Sequence, residues 1–337
     1  MKTSMKTLPT PDLGDDQILG AVCGLRPCRH GGLRLEIEQL GSKTIVHNYG
    51  HGGCGITISF GTAEIAADLV EQATPSKCPV AVLGAGVVGL TAARELLMRG
   101  YEVTIYAQNP PEKTTSHIAG ALWLPMAIEF GSSAQDIAQK TRILTRSHHI
   151  FQHIDRDRFG VELLPIYEPA RSDTELDVFE HLFAHGLIDK PKPIDAFPFE
   201  AFAPPGQMFS TDFIHTHRFL DALVEEIQSL GGQIITQTIT ACDQLQAFPQ
   251  AVLVNALGLG SRSLFGDKQV YAARGVLVHL KPQDLGYGIH DGFKYMFPRS
   301  NALILGGCIH EYDWDDTPDQ EMIDEILTHH RRFFGQE

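Results

Sequence analysis

The stretch Val80-Ala81-Val82-Leu83-Gly84-Ala85-Gly86-Val87-Val88-Gly89 decides the fold. Four consecutive apolar residues fit a short strand buried on both faces, and the glycines that follow open a helix over Gly89 to Arg99, stopped by Gly100. A second strand is expected over Glu102 to Tyr106. Strand, glycine turn, helix and strand make a βαβ unit of a parallel sheet. In this setting Gly84 allows the tight turn, Gly86 lets the backbone approach a pyrophosphate, and Gly89 lets the helix pack on the strand. The helix start at Val87 and Val88 points free N–H groups and a positive dipole end at the phosphates. Gln108, just past the second strand, stands where an acidic residue often holds ribose hydroxyls. Its neutral amide can still bond a ribose, so the position does not choose between dinucleotides.

Upstream, Leu33 to Glu38 and Thr44 to Asn48 read as short strands, Gly50 to Gly55 as a glycine loop, and Ser59 to Gln72 as a helix. Ala73 to Pro79 is a polar linker. Downstream, residues 130–205 mix helical segments with proline-rich loops. Phe213 to Leu230 reads as a helix ended by Gly231-Gly232, and Ala251 to Asn255 as a buried strand. Strands at Gly275 to Leu280 and Ala302 to Leu305 bracket a loop rich in glycine and aromatics, and Gln320 to Phe334 is a charged amphipathic helix. Residues 1–20 are polar and turn-rich.

The 337 residues carry a formal charge of −14, which opposes binding to a phosphate backbone and disfavours nucleic-acid partners. The six cysteines show no tight pair of zinc or redox spacing, which points to a reducing, cytoplasmic setting. The adjacent histidines His148-His149 and His329-His330 lack acids or cysteines at ligand spacing, so no metal site is expected. No apolar leader and no membrane-spanning run is expected, hence no membrane partner. Homo-oligomerisation is left open.

Five segments together resemble the D-amino acid oxidase family. The longest is Ile45-Val46-His47-Asn48-Tyr49-Gly50-His51-Gly52-Gly53-Cys54-Gly55-Ile56-Thr57, with Gly61 and Ala63 following. Gly24-Leu25-Arg26-Pro27-Cys28-Arg29 is similar to the family's arginine motif. Thr114-Thr115-Ser116 with Ala119-Gly120-Ala121-Leu122-Trp123 is similar to the segment along the flavin ring. Tyr295-Met296-Phe297-Pro298, followed by Leu305-Gly306-Gly307, is similar to its tyrosine-bearing strand, and Phe213-Ile214-His215-Thr216-His217 also has the family's look.

The order differs from the family's, where the fingerprint comes first and the arginine and glycine motifs come last. Here they stand at 24–29 and 45–63, ahead of 84–89. Reading residue 337 onward into residues 12–29 restores the family order, so a circular permutation is expected, with residues 73–79 as the joining segment. The fold implied is α/β. A Rossmann-like FAD-binding domain takes residues 30–127 and 203–266. An α+β substrate domain with a mostly antiparallel sheet takes 128–202, 267–337 and 1–29.

The resemblance also implies roles. Arg26 would clamp a substrate α-carboxylate through two parallel hydrogen bonds, and Tyr295 would add a phenolic one. Gly52, Gly53 and Gly55 would bring backbone against flavin and substrate, where a side chain would collide. Thr57 would donate to a flavin carbonyl or cap the following helix. Thr115 and Ser116 would contact the phosphates or ribityl chain, and Gly120, Ala121 and Leu122 would line the ring. Gly258, in Asn255-Ala256-Leu257-Gly258, marks a further strand end beside the cofactor.

Three positions depart from the family. Leu257 replaces a common threonine and Val276 a glutamine. Asp291 stands where a second tyrosine is usual; by default it reads as an exposed loop acid, and only if it faced the site would it oppose acidic side chains. His290 and Lys294 read as surface residues. The activity implied is FAD-dependent oxidative deamination of a D-amino acid to a 2-oxo acid, ammonia and hydrogen peroxide, with molecular oxygen as acceptor. Oxidation of glycine, an N-methyl amino acid or another amine, and a catalytically silent FAD-binding protein, stay open as alternatives.

Overall fold

A computed structural model describes residues 7–74, 76–170 and 176–337. The strands are β1 (Ile18–Arg29), β2 (Arg34–Leu40), β3 (Lys43–Tyr49), β4 (Val80–Leu83), β5 (Val103–Ala107), β6 (Val161–Pro169), β7 (Lys192–Pro193), β8 (Pro205–Ile214), β9 (Gln233–Thr236), β10 (Val252–Asn255), β11 (Val270–Leu280), β12 (Gly288–Asp291), β13 (Lys294–Arg299), β14 (Ala302–Gly306) and β15 (His310–Glu311). The helices are α1 (Gly55–Ala73), α2 (Val87–Met98), α3 (Thr115–Ile118), α4 (Ala134–His153), α5 (Arg156–Phe159), α6 (Leu176–Ala184), α7 (Thr216–Ser229), α8 (Gly260–Leu264) and α9 (Gln320–Phe333).

The chain divides into two compact units. One, residues 26–161 and 216–273, contains a six-stranded sheet in the order β2-β3-β10-β4-β5-β9. All neighbours in it are parallel except the hairpin β2–β3. The run Val80–Leu83 is fully buried, as a central parallel strand covered on both faces must be. Asn255 pairs with both His47 and Leu83, and Leu83 with Tyr106, so β3, β10, β4 and β5 end in one line. Ligands of open α/β sheets bind beyond such a line of carboxyl ends.

Helix α1 begins at Gly55, four residues before the expected start. With the turn before it, Gly52–Ala73 is long and apolar enough by length and composition to cross a membrane, contrary to the expectation that no such run exists, but 67% of its apolar 18-residue window is buried. It packs against α2 and α4 as a core helix. Gly61 makes the second contact possible: a Cβ there would lie 2.1 Å from the Ile143 carbonyl oxygen. The Gly61 N–H donates to Ser147 Oγ at 2.9 Å. Residues 128–161 therefore pack with the fingerprint unit, whereas the expected boundary was 127/128.

The other unit takes residues 7–25, 162–170, 176–215 and 274–337 of the described chain. Its strands belong to a nine-stranded sheet ordered β1-β11-β14-β13-β12-β6-β8-β7, with β15 on β11. The pairings β11–β14, β14–β13, β13–β12 and β8–β7 are antiparallel, and β12–β6 is parallel. Residues 205–214, expected as loop and helix start, form β8 of this sheet, so 203–215 falls here and the predicted helix is confined to α7. Strands β1 and β11 each carry residues of both units.

One face of this sheet packs on α9. Ile289, Met296, Leu305 and Val278 form a single apolar cluster with Met322, Ile326, Leu327 and Phe333. Chain segments from both ends of the sequence meet in this unit. Gln336 accepts from the Leu13 N–H at 3.1 Å and donates to the Pro11 carbonyl at 2.7 Å. Arg331 donates to the Leu13 carbonyl at 2.9 Å and to Asp15 at 2.6 Å.

Candidate active site

The fingerprint turn closes as its glycines require. Gly84 has φ +108°, and a Cβ there would lie 2.5 Å from the Ala256 carbonyl oxygen. A Cβ at Gly89 would lie 2.0 Å from the Gly84 carbonyl oxygen, which holds α2 hard against its own strand end. Gly86 caps α2 and offers no side-chain cap. Among the described residues beyond its chain neighbours, a Cβ there would meet the Ser116 hydroxyl alone within 4 Å, at 3.4 Å. The backbone is thus open where a pyrophosphate would approach. Ser116 Oγ also accepts the Val87 N–H at 3.0 Å, so the predicted phosphate-contacting segment touches the helix start directly.

The glycine loop between β3 and α1 sits beside this turn. A Cβ on Gly55 would rest 3.6 Å from Val87. Gly52 has φ +55°, and a Cβ on it would meet the Ala127 carbonyl oxygen at 2.3 Å. The same carbonyl accepts the Gly53 N–H at 3.1 Å. Ala127 itself has φ +54°, a conformation uncommon outside glycine and stored mostly at functional sites. Half-buried Arg26 lies alongside, its Cδ 3.5 Å from where Gly53 would carry a Cβ. Gly258, at φ +55°, leaves room for Pro27, the next residue of β1.

Thr57 is not the N-cap of its helix. The N-cap of α1 is Cys54, and the buried Thr57 hydroxyl is directed at the carbonyls of Leu122 (3.2 Å) and Leu124 (3.1 Å). It pins the segment carrying Gly120, Ala121 and buried Leu122 onto α1. Thr115 is exposed in α3, and Gln108 is exposed beyond β5. The sequence also passed over His51 and Asn48. His51 is buried and bonds Thr62 Oγ1 at 2.9 Å; burial drives its pKa down to about 3, so it is neutral. Asn48, near the end of β3, is fully buried, and its amide oxygen and nitrogen have no hydrogen-bond partner among the described residues.

In the other unit Tyr295 lies on β13, its ring stacked on Phe297 with centroids 4.7 Å apart. A Cβ at Gly306 would run into that ring at 2.2 Å, so the glycine makes the bed on which Tyr295 lies. Tyr295 pairs directly with His290, and Lys294 with Asp291. Residues that pair directly share a face, and successive residues alternate. His290 therefore shares the face of Tyr295, while Asp291 and Lys294 point the other way, to α9. There Asp291 meets His329 at 3.2 Å and Lys294 meets Glu325 at 2.7 Å. His290 is buried, not a surface residue, and bonds buried Glu168 at 2.6 Å.

Residues 79–337 match the model of the DAO family, described as FAD dependent oxidoreductase. The chain belongs to this family. Among its relatives, the D-amino-acid oxidase of Streptomyces coelicolor is 30% identical over 260 residues, 74% of this chain and 75% of that protein. The D-amino acid oxidase of Dugesia ryukyuensis is 26% identical over 255 residues, again 74% and 75%. Glycine oxidase from Geobacillus kaustophilus shares the fold, with a TM-score of 0.58 over 75% of this chain and 77% of that one at 16% identity.

As an FAD-dependent oxidoreductase the chain must hold a dinucleotide, and its residues fit one. The open backbone at Gly86, the turn at Gly84, the start of α2 and the Ser116 hydroxyl are the groups that would take the pyrophosphate. Gly52, Gly53, Gly55 and Leu122 gather at the start of α1, the second helix N-terminus beside it.

Proposed function

We propose that this chain oxidises the Cα–N bond of D-amino acids, yielding a 2-oxo acid and ammonia, with oxygen as the final acceptor and hydrogen peroxide as its product. What carries the reading is the match to D-amino acid oxidases over three quarters of both chains. FAD supplies the two-electron acceptor. The unit of residues 26–161 and 216–273 would hold it. Arg26 is the carboxylate clamp, a planar fork suited to two parallel hydrogen bonds. Tyr295 contributes its phenol to the amino acid, and Gly53 its bare backbone. Gly84, Gly86, Val87, Val88, Gly89, Ser116, Gly120, Ala121 and Leu122 serve the cofactor. The reaction needs the amine in its neutral form, because an ammonium nitrogen has no lone pair to expel a hydride from Cα.

The chain order is, in this reading, a circular permutation of the family's. Three observations support it. The family match begins at residue 79; residues 34–73 supply two strands and a helix to the fingerprint unit; residues 331 and 336 bond residues 11–15. No disulfide joins two cysteines among the described residues, which supports a reducing, cytoplasmic setting.

The test is anaerobic bleaching of the bound flavin by a panel of D- and L-amino acids, glycine and N-methyl amino acids. Bleaching by D-amino acids is expected. Preference for L-amino acids, for glycine or for N-methyl amino acids would overturn the substrate class. A flavin that stays oxidised with every compound would overturn the oxidase reading.

A further inference from the structure

Helix α4 carries two histidines four residues apart, His149 and His153. Both are exposed, whereas Ile143, Ser147 and Phe151 of the same helix are buried. Residues four apart stand one above the other on a helix. Accordingly the two rings lie together, with centroids 4.2 Å apart and planes 33° apart. The adjacent His148 turns elsewhere and packs on Trp123, with centroids 5.0 Å apart. The pair that shares a face is therefore His149 with His153, not the adjacent His148 with His149. Two histidines at this spacing on one helix face are what helical zinc motifs use to grip their metal.

The tautomer of one ring is set. His153 Nδ1 meets the His149 carbonyl oxygen at 2.7 Å. A carbonyl only accepts, so Nδ1 donates, and the lone pair of the neutral ring lies on Nε2. A ring nitrogen bonded in this way to backbone is the usual support of a metal-ligating histidine. Charge also favours a cation here. His153 is the last residue of a 20-residue helix, where the end carbonyls carry the negative pole of the dipole. The arginines before the pair turn to α1, where Arg142 and Arg146 meet Glu64 at 2.9 and 3.0 Å. After the pair stand the exposed acids Asp155 and Asp157, with Arg156 between them donating to the Phe151 carbonyl at 3.2 Å.

We propose that His149 and His153 form a surface site for a divalent transition metal that favours imidazole, Ni²⁺, Cu²⁺ or Zn²⁺ rather than Mg²⁺ or Ca²⁺. Metal–nitrogen bonds of about 2.0–2.1 Å bring the two ligating nitrogens to roughly 3 Å from each other. Rings already stacked on an exposed face reach that separation by turning about their side-chain bonds, with the backbone unmoved. Among the described residues no group of three His, Cys, Asp or Glu is placed to hold a metal. Water therefore completes the coordination, and the site is open and exchangeable, unlike a closed structural one. The bound ion clamps the last turn of α4, the part of a helix that frays. A similar pair ends α6: His185 Nδ1 meets the His181 carbonyl at 2.8 Å, and the rings are 4.3 Å apart. There His181 is half-buried, which leaves an ion less room to approach both rings.

The experiment is calorimetric titration of the untagged holoenzyme with Ni²⁺, for wild type, His149→Gln, His153→Gln, and the double variants His149→Gln/His153→Gln and His181→Gln/His185→Gln. Wild type is expected to bind one Ni²⁺ at this pair, with Zn²⁺ competing for it and Mg²⁺ failing to. Each single variant should weaken that binding by at least about 10-fold, since even losing a contact that supports a metal ligand costs about 10–100-fold. The His181→Gln/His185→Gln variant should keep it. Ni²⁺ should also raise the urea midpoint of wild type more than that of His149→Gln/His153→Gln, because an ion held only by the folded chain stabilises it. Both residues are exposed, so the variants should fold as wild type does. No Ni²⁺ binding, an isotherm unchanged in His149→Gln/His153→Gln, a loss in only one of the two single variants, or a loss that follows His181 and His185 instead overturns the site. None of these readouts uses an amino acid substrate, so they stand or fall apart from the oxidase reading.

Discussion

His290 and Tyr295 stand opposite each other on neighbouring antiparallel strands, while Asp291, one residue on, turns to the other face and meets His329 of α9 at 3.2 Å. The charge expected to oppose acidic substrates thus faces away from Tyr295, and with it falls the expected discrimination against D-aspartate. Asp291→Asn should change the ratio of D-aspartate to D-alanine turnover by less than about twofold. It should cost about 0–1 kcal/mol of stability, the scale of a partly exposed ion pair. A large gain in D-aspartate turnover relative to D-alanine would put the carboxylate back in the site.

Arg26 is the assigned carboxylate clamp, set beside the Gly53 backbone. An ammonium cannot replace a planar fork that makes two parallel bonds. Arg26→Lys should weaken binding of a carboxylate ligand by about 1.5–3 kcal/mol, the scale of a hydrogen bond to a charged group. Flavin content should be unchanged, since the arginine does not hold the cofactor. Titration of the flavin spectrum with an aromatic carboxylate measures both, and unaltered affinity would remove Arg26 from the site.

Two buried histidines make stability pH-dependent. His51 is held near pKa 3 by burial, and His330, which donates Nε2–H to the Gly306 carbonyl at 2.8 Å, is held near 4, also mainly by burial. Both lie below the value of about 6.5 expected in the unfolded chain. Between these values the unfolded state binds more protons, so stability is present above pH 6.5 and is lost as the pH falls. Together they should remove on the order of 2–3 kcal/mol between pH 6.5 and 5. The urea midpoint should drop over that window, and His330→Gln, which keeps a donor for Gly306, should flatten the drop. A midpoint constant from pH 6.5 to 5 would contradict the buried neutral rings.

The fingerprint unit was legible because its signals are local. Val80–Leu83 is a continuous apolar run, and Gly84 and Gly89 each answer to a contact within a few residues or one strand away. Strand β1 was hidden by Gly20, Gly24 and Pro27, residues that ordinarily mark loops. Strand β8 ends in a continuous buried run from Thr211 to Ile214, but its opening Pro205-Gly206 reads as a turn. The pairing of His290 with Glu168 lay beyond reach, because it depends on the register of β6 against β12, 122 residues apart. Thr57 shows the same limit: its hydroxyl partners, Leu122 and Leu124, belong to a segment that sequence spacing cannot dock.

The proposed permutation makes a prediction about the chain itself. Gln336 bonds Leu13 and Pro11, and Arg331 bonds Leu13 and Asp15, so the last residues lie beside residues 11–15. Ser76 and Lys77, between α1 and β4, are exposed, as a tolerated opening point should be. A chain beginning at Cys78, running through Glu337 into Thr7 and ending at Lys77 would therefore have the family's order and keep every strand intact. It should fold, bind FAD in the same proportion, and unfold within about 1–2 kcal/mol of the original, since joining and cutting closed loops of similar length changes mainly chain entropy. Flavin absorbance of the purified chain and its urea midpoint report both properties. A rejoined chain that is soluble and helical but takes up no flavin would show that the connection at residues 74–79 is needed for the nucleotide-binding sheet, and the permutation reading would fail.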